Sequence, residues 1–299
     1  MPTVANTLKT FDQVGKREDF ESVIYDITPT QTPFLSSIGS STAEATLHQW
    51  MQDSLAVVGS NILVEGADAG AASTVTQVVK SANTRIFGKV VQVSGTAEAI
   101  GLHARTSDLA NAIAKAGKEL KRDIEHSFVG LGQAGTAGSG SAGRQLTSAA
   151  NQISATTTNT AGSNRALTEA LVLDVLEKTY NEGAEPNQIQ VTPSHSVIVA
   201  GFAASSGRNR DFGNGSRITN VVDIYVSPFG EVSVLPNRFM QANTALVLDT
   251  EYWSRAVLRP MQTIQLSRTG DSDKRQMLTE LTLVCKSDIA SGKIDALTA

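Results

Sequence analysis

The side chains that could do chemistry are sparse in this 299-residue sequence, and their spacing completes no catalytic or metal-binding motif. The histidines lie far apart, without the HExxH spacing or the cysteine partners that a zinc site needs. The single cysteine, Cys285, stands in an apolar run, where we expect a buried and inert thiol rather than a nucleophile. The histidines are His48, His103, His126 and His195.

Two short segments keep part of a ligand-binding pattern and lack the residues that would complete it. Residues 138–143 have the glycine spacing of a phosphate loop, but the lysine and the hydroxyl residue that meet phosphate and magnesium are missing. Residues 271–273 begin like a calcium loop, but Gln276 stands where the sharp turn requires glycine, so a solvated hairpin turn is the better interpretation. We therefore predict that the chain is not an enzyme and uses neither a cofactor nor a metal.

Composition narrows the class of protein further. The formal net charge of −4 argues against broad, non-specific binding of nucleic acid, which needs clustered lysine and arginine. No run of about 18 apolar residues is present, so we expect no membrane span. The beginning of the sequence lacks the basic and apolar regions of a signal peptide. These features predict a globular protein whose main partners are other proteins.

Residues 10–39 cannot fold into a compact unit of their own. Pro29 and Pro33 push the threonines before them toward extended conformations, so a helix from about residue 17 to residue 26 must end there. A short helix followed by an extended run must lie along the rest of the domain or along a neighbouring subunit. The segment carries more acidic than basic residues, which favours contact with protein over DNA. We interpret it as an arm that serves assembly, and we expect deletion of residues 1–39 to leave a foldable body that no longer assembles stably.

The next segment has the pattern of a long two-stranded excursion. Residues 46–50 and 85–96 read as strands, and about thirty residues rich in Ala, Gly and Ser separate them. An isolated hairpin is marginal in water, so it should rest on another surface. Glu65 and Asp68 make its tip acidic, and its return leg is basic, which suits head-to-neighbour packing; a solvated loop is the alternative. The basic residues are Lys80, Arg85 and Lys89.

Residues 106–132 contain the clearest helix, because apolar residues recur there at three- and four-residue spacing. Lys115/Glu119 and Lys121/Glu125 are spaced as i,i+4 ion pairs on the other faces. At 1.5 Å per residue this helix would be about 40 Å long, and we interpret it as a spine beside sheets. Its apolar stripe consists of Leu109, Ile113, Ala116, Leu120, Ile124 and Phe128.

The remainder alternates helices with short strands. Residues 130–165 are rich in Gly, Ser, Thr and Ala and hold few large apolar residues, so we expect a long flexible loop or surface excursion. The mixture of helices and antiparallel strands predicts an α+β fold. Helices are predicted at residues 167–180 and 193–204, and strands at residues 189–191, 222–226, 232–234, 244–248, 264–266 and 277–285.

Four blocks in order resemble one protein family. They are TFDQVGKREDFESVIYDITPTQTPFLSSIG, VVQVSGTAEAI, KAGKELKRDIE and ALVLDTEYWSRAVLRPMQTIQLSRTGDSDKRQMLTELTLVCKSDIASGKI. Together they resemble the major capsid proteins of tailed bacteriophages with the Hong Kong 97-like fold, particularly a branch without a long N-terminal scaffolding segment. The similarity spans nearly the whole chain except the glycine-rich segment.

The resemblance implies a structural subunit that self-assembles into hexamers and pentamers. These would form an icosahedral or prolate phage head around double-stranded DNA, located in the virion and assembled in the bacterial host cytoplasm. The fold would have an N-terminal arm, an extended β-hairpin loop, a peripheral domain with the spine helix, and an axial domain. These would occupy residues 1–42 (arm), 43–95 (loop), 96–165 with 245–299 (peripheral) and 166–244 (axial).

The resemblance also implies partners. We expect a separate scaffolding protein, a portal protein, packaged DNA held non-specifically, no membrane, and a decoration protein as an optional partner. No motif fixes a Lys–Asn cross-link, so we predict a non-covalent lattice. The alternatives are a cargo-enclosing bacterial shell protein of the same fold, and a soluble ligand-binding protein or hydrolase. Our candidates for contact between subunits are Phe11, Phe34, Trp50, Glu65, Asp68, Arg85 and Lys89.

Overall fold

The computed structural model describes residues 28–62, 65–66, 68, 70, 75–100, 107–205, 224–268 and 270–298. Phe11 and the helix predicted at residues 17–26 lie outside the described residues. Among the described helices, none is long and apolar enough to cross a membrane.

The described residues form twelve strands and six α-helices. The strands are β1 (Gly39–Thr42), β2 (Leu47–Gln52), β3 (Val78–Asn83), β4 (Arg85–Ser94), β5 (Thr158–Asn159), β6 (Gln188–Val191), β7 (Ile224–Ser227), β8 (Gly230–Pro236), β9 (Ala245–Leu248), β10 (Trp253–Gln265), β11 (Ser272–Cys285) and β12 (Gly292–Ile294). The helices are α1 (Pro33–Ser37), α2 (Gly95–Ala99), α3 (Asp108–Glu125), α4 (Ala149–Gln152), α5 (Glu169–Asn181) and α6 (Pro193–Ser205). A π-helical turn, His126–Gly130, continues α3 directly, and the mixture confirms the predicted α+β class.

The predicted spine helix is present as α3, and it lies on a four-stranded sheet of order β1-β10-β11-β4. Ser107 caps the helix, because its hydroxyl oxygen accepts a hydrogen bond from the backbone N–H of Ala110 at 3.2 Å. The predicted apolar stripe faces the sheet and forms the larger core with residues of β10 and β11. Its central members are Ala116, Leu120, Ile124 and Phe128 on the helical side, and Trp253, Met277, Leu281 and Leu283 on the sheet.

A six-stranded sheet of order β5-β12-β9-β6-β8-β7 forms the second half of the molecule. α5 and α6 pack on it, and a separate hydrophobic cluster fills the space between helices and sheet. The predicted strands at residues 189–191, 232–234 and 244–248 are confirmed as β6, β8 and β9. β9 and β12 come from the segment assigned to the peripheral domain, yet they belong to the same sheet as β6 and β8. The two proposed domains therefore share a sheet.

The excursion contains an antiparallel hairpin of β2 and β3, but these are not the two strands that were predicted. The predicted return strand at residues 85–96 is β4, which pairs with β11, whereas β3 lies in the segment expected to be a connection rich in Ala, Gly and Ser. The register of the hairpin runs from the Leu47–Asn83 pair at the base to the Gln52–Val78 pair. After Thr84 the chain passes directly into β4, so one continuous segment connects the hairpin to the four-stranded sheet.

The segment after Pro33 differs from its prediction. We expected an extended run, and the structure has the short helix α1 followed by β1, which pairs in parallel with β10. Proline fits this position because the first helical residue needs no N–H donor inside the helix. Phe34, Leu35 and Ile38 are buried in the larger core, so deletion of residues 1–39 would remove part of the folded body. The expectation that this truncation leaves an intact body is therefore wrong.

The glycine-rich segment also differs from its prediction. Residues 130–165 lack enough apolar side chains for a core of their own, but they contribute theirs to the larger core. Leu146 and Ala149 are fully buried, and Ile153 is nearly so. The interpretation as a flexible excursion was wrong for these residues, because apolar side chains too few to form a core can still pack onto an existing one.

β10 is much longer than the three residues predicted for it. Its outer half has exposed side chains, and in the described part of the chain β1 pairs only with its first residues, Ser254–Val257. Pro260 lies in this open half, where a strand edge tolerates the missing N–H donor. Strand prediction from alternating apolar residues missed most of β10, because its outer half carries polar and charged residues.

Candidate assembly interface

The hairpin β2–β3 and the segment that joins its strands present apolar side chains to solvent. The exposed fractions are 96% for Leu55, 97% for Val57, 98% for Val58 and 84% for Ile62. Burying one such side chain is worth about 1.5–3 kcal/mol, so a chain that leaves several uncovered in one segment has a strong drive to associate. We call these four residues the hairpin apolar patch.

The paired strands β2 and β3 are fixed to the body of their own subunit, up to the far end of their ladder. Trp50 is half-buried and packs against a small cluster that includes Ala256 and Val284. The Gln52 side-chain amide donates a hydrogen bond to the Lys286 carbonyl oxygen at 2.9 Å. The Lys80 ammonium lies 2.9 Å from a carboxylate oxygen of Asp288. The strands are therefore fixed, and the apolar segment beyond Gln52 is uncovered, which is the geometry of an element that contacts a neighbour.

The four-stranded sheet has exposed apolar side chains among polar ones on the face opposite α3. Phe87 faces the core, whereas Ile86 and Val90, at alternate positions of β4, are half-exposed. Gln276 pairs with both Val90 and Ile264, so these residues of three strands lie side by side. Each subunit therefore carries a projecting apolar element and a sheet face on which the apolar residues Ile86, Val90 and Ile264 are exposed.

The basic residues of the return leg have partners in their own chain. Lys89 lies 2.8 Å from Glu119 and 3.2 Å from Asp123, both on α3. The hydrogen bond to Glu119 is the main reason that the pKa of Lys89 is raised. Lys89 therefore joins β4 to the spine helix and is not free to meet an acidic tip.

Arg85 is also used within the subunit. Its guanidinium donates to Ser127 Oγ at 3.3 Å and to Gln133 Oε1 at 3.4 Å, and it lies 5.1 Å from the centre of the Phe87 ring. Burial lowers its pKa, partly offset by the charge of Asp123. Glu65 and Asp68 are exposed at the hairpin end. Arg85 and Lys89 both have partners within their own chain. We therefore do not propose that these two residues pair with the acidic tip, Glu65 and Asp68, of a neighbouring subunit.

Phe34 serves the core of its own subunit. Its ring is fully buried, with ring centres 6.1 Å from Phe128 and 5.8 Å from Trp253, both in edge-on geometry. A side chain without exposed surface has none to offer a neighbour. Phe34 is therefore removed from the contact candidates, because its subunit already buries it.

Glu125 is the important residue that sequence reasoning missed. Its carboxylate is buried and accepts hydrogen bonds from the backbone N–H groups of Phe34 at 2.9 Å and Leu35 at 2.8 Å, and from the Asn237 amide at 2.6 Å. Burial raises its pKa, and the three hydrogen bonds oppose that rise. The predicted Lys121–Glu125 ion pair is wrong, because the carboxylate points inward to α1. Its position between Ile124 and Phe128, the last two members of the buried stripe, was the available signal.

The π-helical turn after Glu125 fastens the spine helix to residues 237–241. The backbone N–H of Gln241 donates to the Val129 carbonyl oxygen at 3.2 Å, and His126 Nδ1 lies 3.3 Å from the Phe239 carbonyl oxygen. The Arg122 guanidinium lies 5.8 Å from the centre of the Phe239 ring. These contacts, together with Glu125, couple the two sheets through one helix end.

The remaining reactive groups have structural partners. Cys285 is buried, its thiol donates to the Ser287 carbonyl oxygen at 3.0 Å, and burial raises its pKa to about 12. His195 is buried with its ring nitrogens 2.9 Å from the Thr192 hydroxyl oxygen and 2.9 Å from the Thr298 carbonyl oxygen. Among the described residues, no group of three or more His, Cys, Asp or Glu side chains could hold a metal ion.

Two cavities in the described part of the chain lack a group of catalytic side chains. One, of about 420 Å³, is lined by residues that include Lys293 and Asp295, which form an ion pair at 2.9 Å. The other, of about 470 Å³, lies between Ile86 and the glycine-rich loop and has Arg144 as its charged residue. The hairpin apolar patch and the exposed sheet face are therefore better candidates for a functional site than either cavity.

Solved structures share this architecture over nearly the whole chain. The capsid protein in the Cyanophage A-1(L) capsid asymmetric unit has a TM-score of 0.65 at 14% identity, with 97% of this chain and 99% of that chain covered. The SrpI encapsulin of Synechococcus elongatus PCC 7942 has a TM-score of 0.63 at 11% identity, with 94% of this chain and 92% of that chain covered. The fold is thus the Hong Kong 97-like fold.

Sequence comparison defines the family within that fold. The chain is 28% identical to the major capsid protein of Escherichia phage Phieco32 over 333 aligned residues, with 94% of each sequence covered. The model of the SU10 major capsid protein family matches residues 3–298, and the chain belongs to this family. It is therefore a homo-oligomeric structural subunit of a phage head shell, located in the virion. The predicted resemblance, fold and shell-forming role are confirmed.

Proposed function

We propose that this subunit builds hexamers and pentamers that close into an icosahedral or prolate head around double-stranded DNA. The observation that carries the proposal is the hairpin apolar patch, which the described part of the subunit leaves uncovered. In a ring of identical subunits, each hairpin can cover the sheet face of the next, and such head-to-tail contacts close by rotation. The lattice is held by non-covalent contacts.

The chain divides by role in this proposal. Residues 1–42 form the arm, with its base at residues 33–42 anchored in the body, and residues 43–95 form the extended loop. Residues 96–165 and 245–299 form the peripheral domain, and residues 166–244 form the axial domain around the capsomer axis. The exposed Val197 on α6 and Val226 on β7 support axial contacts, because each presents apolar surface in that part of the subunit.

Assembly in the host cytoplasm needs partners for size and for DNA entry. A lattice of hexamers and pentamers can close at more than one size, so we propose that a separate scaffolding protein sets the size. A portal protein supplies the vertex for DNA, a decoration protein is an optional addition to the outer surface, and the DNA is held without sequence preference.

A cargo-enclosing shell is the second candidate function, because the SrpI encapsulin shares the fold. The two candidates differ in what the closed particle contains, which is duplex DNA in a phage head and protein in a cargo shell. We infer the phage head because the matching family and the curated relative are both phage capsid proteins.

The test examines particles purified from host cells that produce the full-length chain during phage growth. Negative-stain microscopy should show closed shells, and DNase treatment should leave protected duplex DNA inside them. Shells that contain protein cargo and no protected DNA would favour the second candidate. A stable monomer in every fraction would overturn the assembly proposal.

A further inference from the structure

The exposed side of the spine helix carries a row of lysines. Lys115, Lys118 and Lys121 are exposed on α3 and follow one another at three-residue spacing. Residues three apart are neighbours on a helix surface, and the row spans about 9 Å along the axis at 1.5 Å per residue. We call these three residues the lysine face.

The acidic residues Glu119, Asp123 and Glu125 of α3 make their short contacts with groups outside this face, and a single ammonium, that of Lys89, serves both Glu119 and Asp123. Lys89 on β4 takes both Glu119 and Asp123, at 2.8 Å and 3.2 Å. Glu125 points inward and accepts backbone hydrogen bonds from α1. The charge of Lys115 contributes to the lowered pKa of Glu119, whose main cause is the hydrogen bond from Lys89. No lysine of the face forms an ion pair within 4.0 Å among the described residues.

The residues around the lysine face favour a partner that binds through its charge alone. The neighbouring residues on this side include the small Ala114 and Gly117, and the apolar stripe of the helix faces the sheet. A folded acidic protein partner would need apolar anchors at its centre, which this side does not offer. A polyanion needs only exposed, mobile cations, and lysine is suited to phosphate as a point charge.

We propose that the lysine face binds the phosphate backbone of duplex DNA and marks the side of the subunit that faces the packaged genome. The inference rests on the proposed function, because it supplies the DNA contact of that shell. A chain with net charge −4 holds DNA weakly as a whole, so a local row of unpaired cations carries the contact. Many copies in a lattice add their weak contacts on one long polymer.

The test measures binding of the unassembled full-length protein to a 30-base-pair duplex by fluorescence anisotropy across a salt series. The variant Lys115→Gln/Lys118→Gln/Lys121→Gln removes the charge and keeps good helix-forming side chains. We expect the slope of log affinity against log salt to lose about 2–3, because each phosphate contact contributes about 0.9. The matched control, the corresponding triple Lys→Arg variant, should bind as wild type does.

Equal DNA binding by the wild type and the Lys→Gln variant would overturn the inference. Stronger competition by polyglutamate than by duplex DNA at equal charge and salt would also overturn it, in favour of an acidic protein partner. Shell formation by the same preparations, scored by negative-stain microscopy, tests the proposed function separately. A Lys→Gln variant that forms normal shells and binds DNA poorly would support both.

Discussion

The carboxylate of Glu125 accepts a hydrogen bond from the backbone N–H of Phe34 at 2.9 Å, so a residue of the spine helix caps the short helix at the base of the arm. The same carboxylate accepts from the Asn237 amide at 2.6 Å. One buried group thus joins the arm base, the spine helix and the chain that leaves β8. In a shell subunit, this arrangement ties the base of the arm, at Phe34 and Leu35, to the chain that leaves the second sheet.

Glu125→Ala should destabilise the unassembled subunit by roughly 3 kcal/mol or more. The change leaves three donors, on Phe34, Leu35 and Asn237, without their acceptor in a buried place, and each unsatisfied group costs about 1–3 kcal/mol. Urea unfolding measures the effect. Glu119→Ala, on the exposed side of the same helix, is the matched control and should cost about 1 kcal/mol or less. Equal losses for both variants would contradict the role given to Glu125.

The contribution of Glu125 to stability should fall as pH rises. Burial raises the folded-state pKa of this carboxyl above its unfolded value of about 4.5, so the folded state binds the proton more tightly. The contribution is complete below the unfolded pKa and is lost as pH rises through the folded pKa. Comparison of wild type with Glu125→Gln across pH 4–8 isolates this group. A difference in unfolding free energy that does not change with pH, or grows as pH rises, would argue against it.

Two truncations should separate the arm from its anchored base. Removing residues 1–27 leaves every described contact in place, so the subunit should fold, and shells should fail if the removed part reaches a neighbour. Removing residues 1–39 also deletes Phe34, whose burial alone is worth about 3–5 kcal/mol. Thermal unfolding and negative-stain microscopy measure the two effects. A 1–39 truncation as stable as the 1–27 truncation would contradict the anchored base.

Arg144→Ala should cost about 3 kcal/mol, because it removes an ion-pair partner from a buried carboxylate. Glu280 is buried on β11, where it is ion-paired with Arg144 and accepts from the Thr84 hydroxyl at 2.8 Å. The more distant Arg259, at 4.0 Å, remains. Adding Glu280→Gln should recover part of the loss, since no uncompensated charge is then buried. Urea unfolding that shows a double variant worse than the single one would contradict this explanation.

The sequence predicted those parts of the fold that depend on local patterns. The spine helix, the strand β2 and the turn before β8 follow from apolar spacing and turn residues, and all three are present. The partner of β2 was missed, because β3 lies in a segment rich in small residues and the predicted return strand pairs with β11. α1 was missed because its stability comes from a carboxylate about ninety residues away, which local reasoning does not supply. The buried residues of the glycine-rich segment were missed for a related reason, since their core is built by other segments.

The candidate interface was only partly predictable. The exposed hairpin follows from its sequence, since a two-stranded excursion cannot bury its own apolar residues. The fate of individual side chains does not follow, because Phe34 and Lys89 are typical of contact residues by type and are both used within the subunit. Packing against segments distant in the sequence determines which side chains stay exposed and can contact a neighbouring subunit.

The hairpin apolar patch carries the central claim, and the double variant Val57→Asp/Val58→Asp tests it most directly. Both side chains are almost fully exposed, so the subunit should fold with unchanged stability, whereas two buried charges per contact should prevent assembly. Ser60→Asp is the matched control in the same exposed segment. Negative-stain microscopy with size-exclusion chromatography should show shells for wild type and Ser60→Asp, and only small oligomers or monomers for the double variant. Normal shells from the double variant would contradict the account.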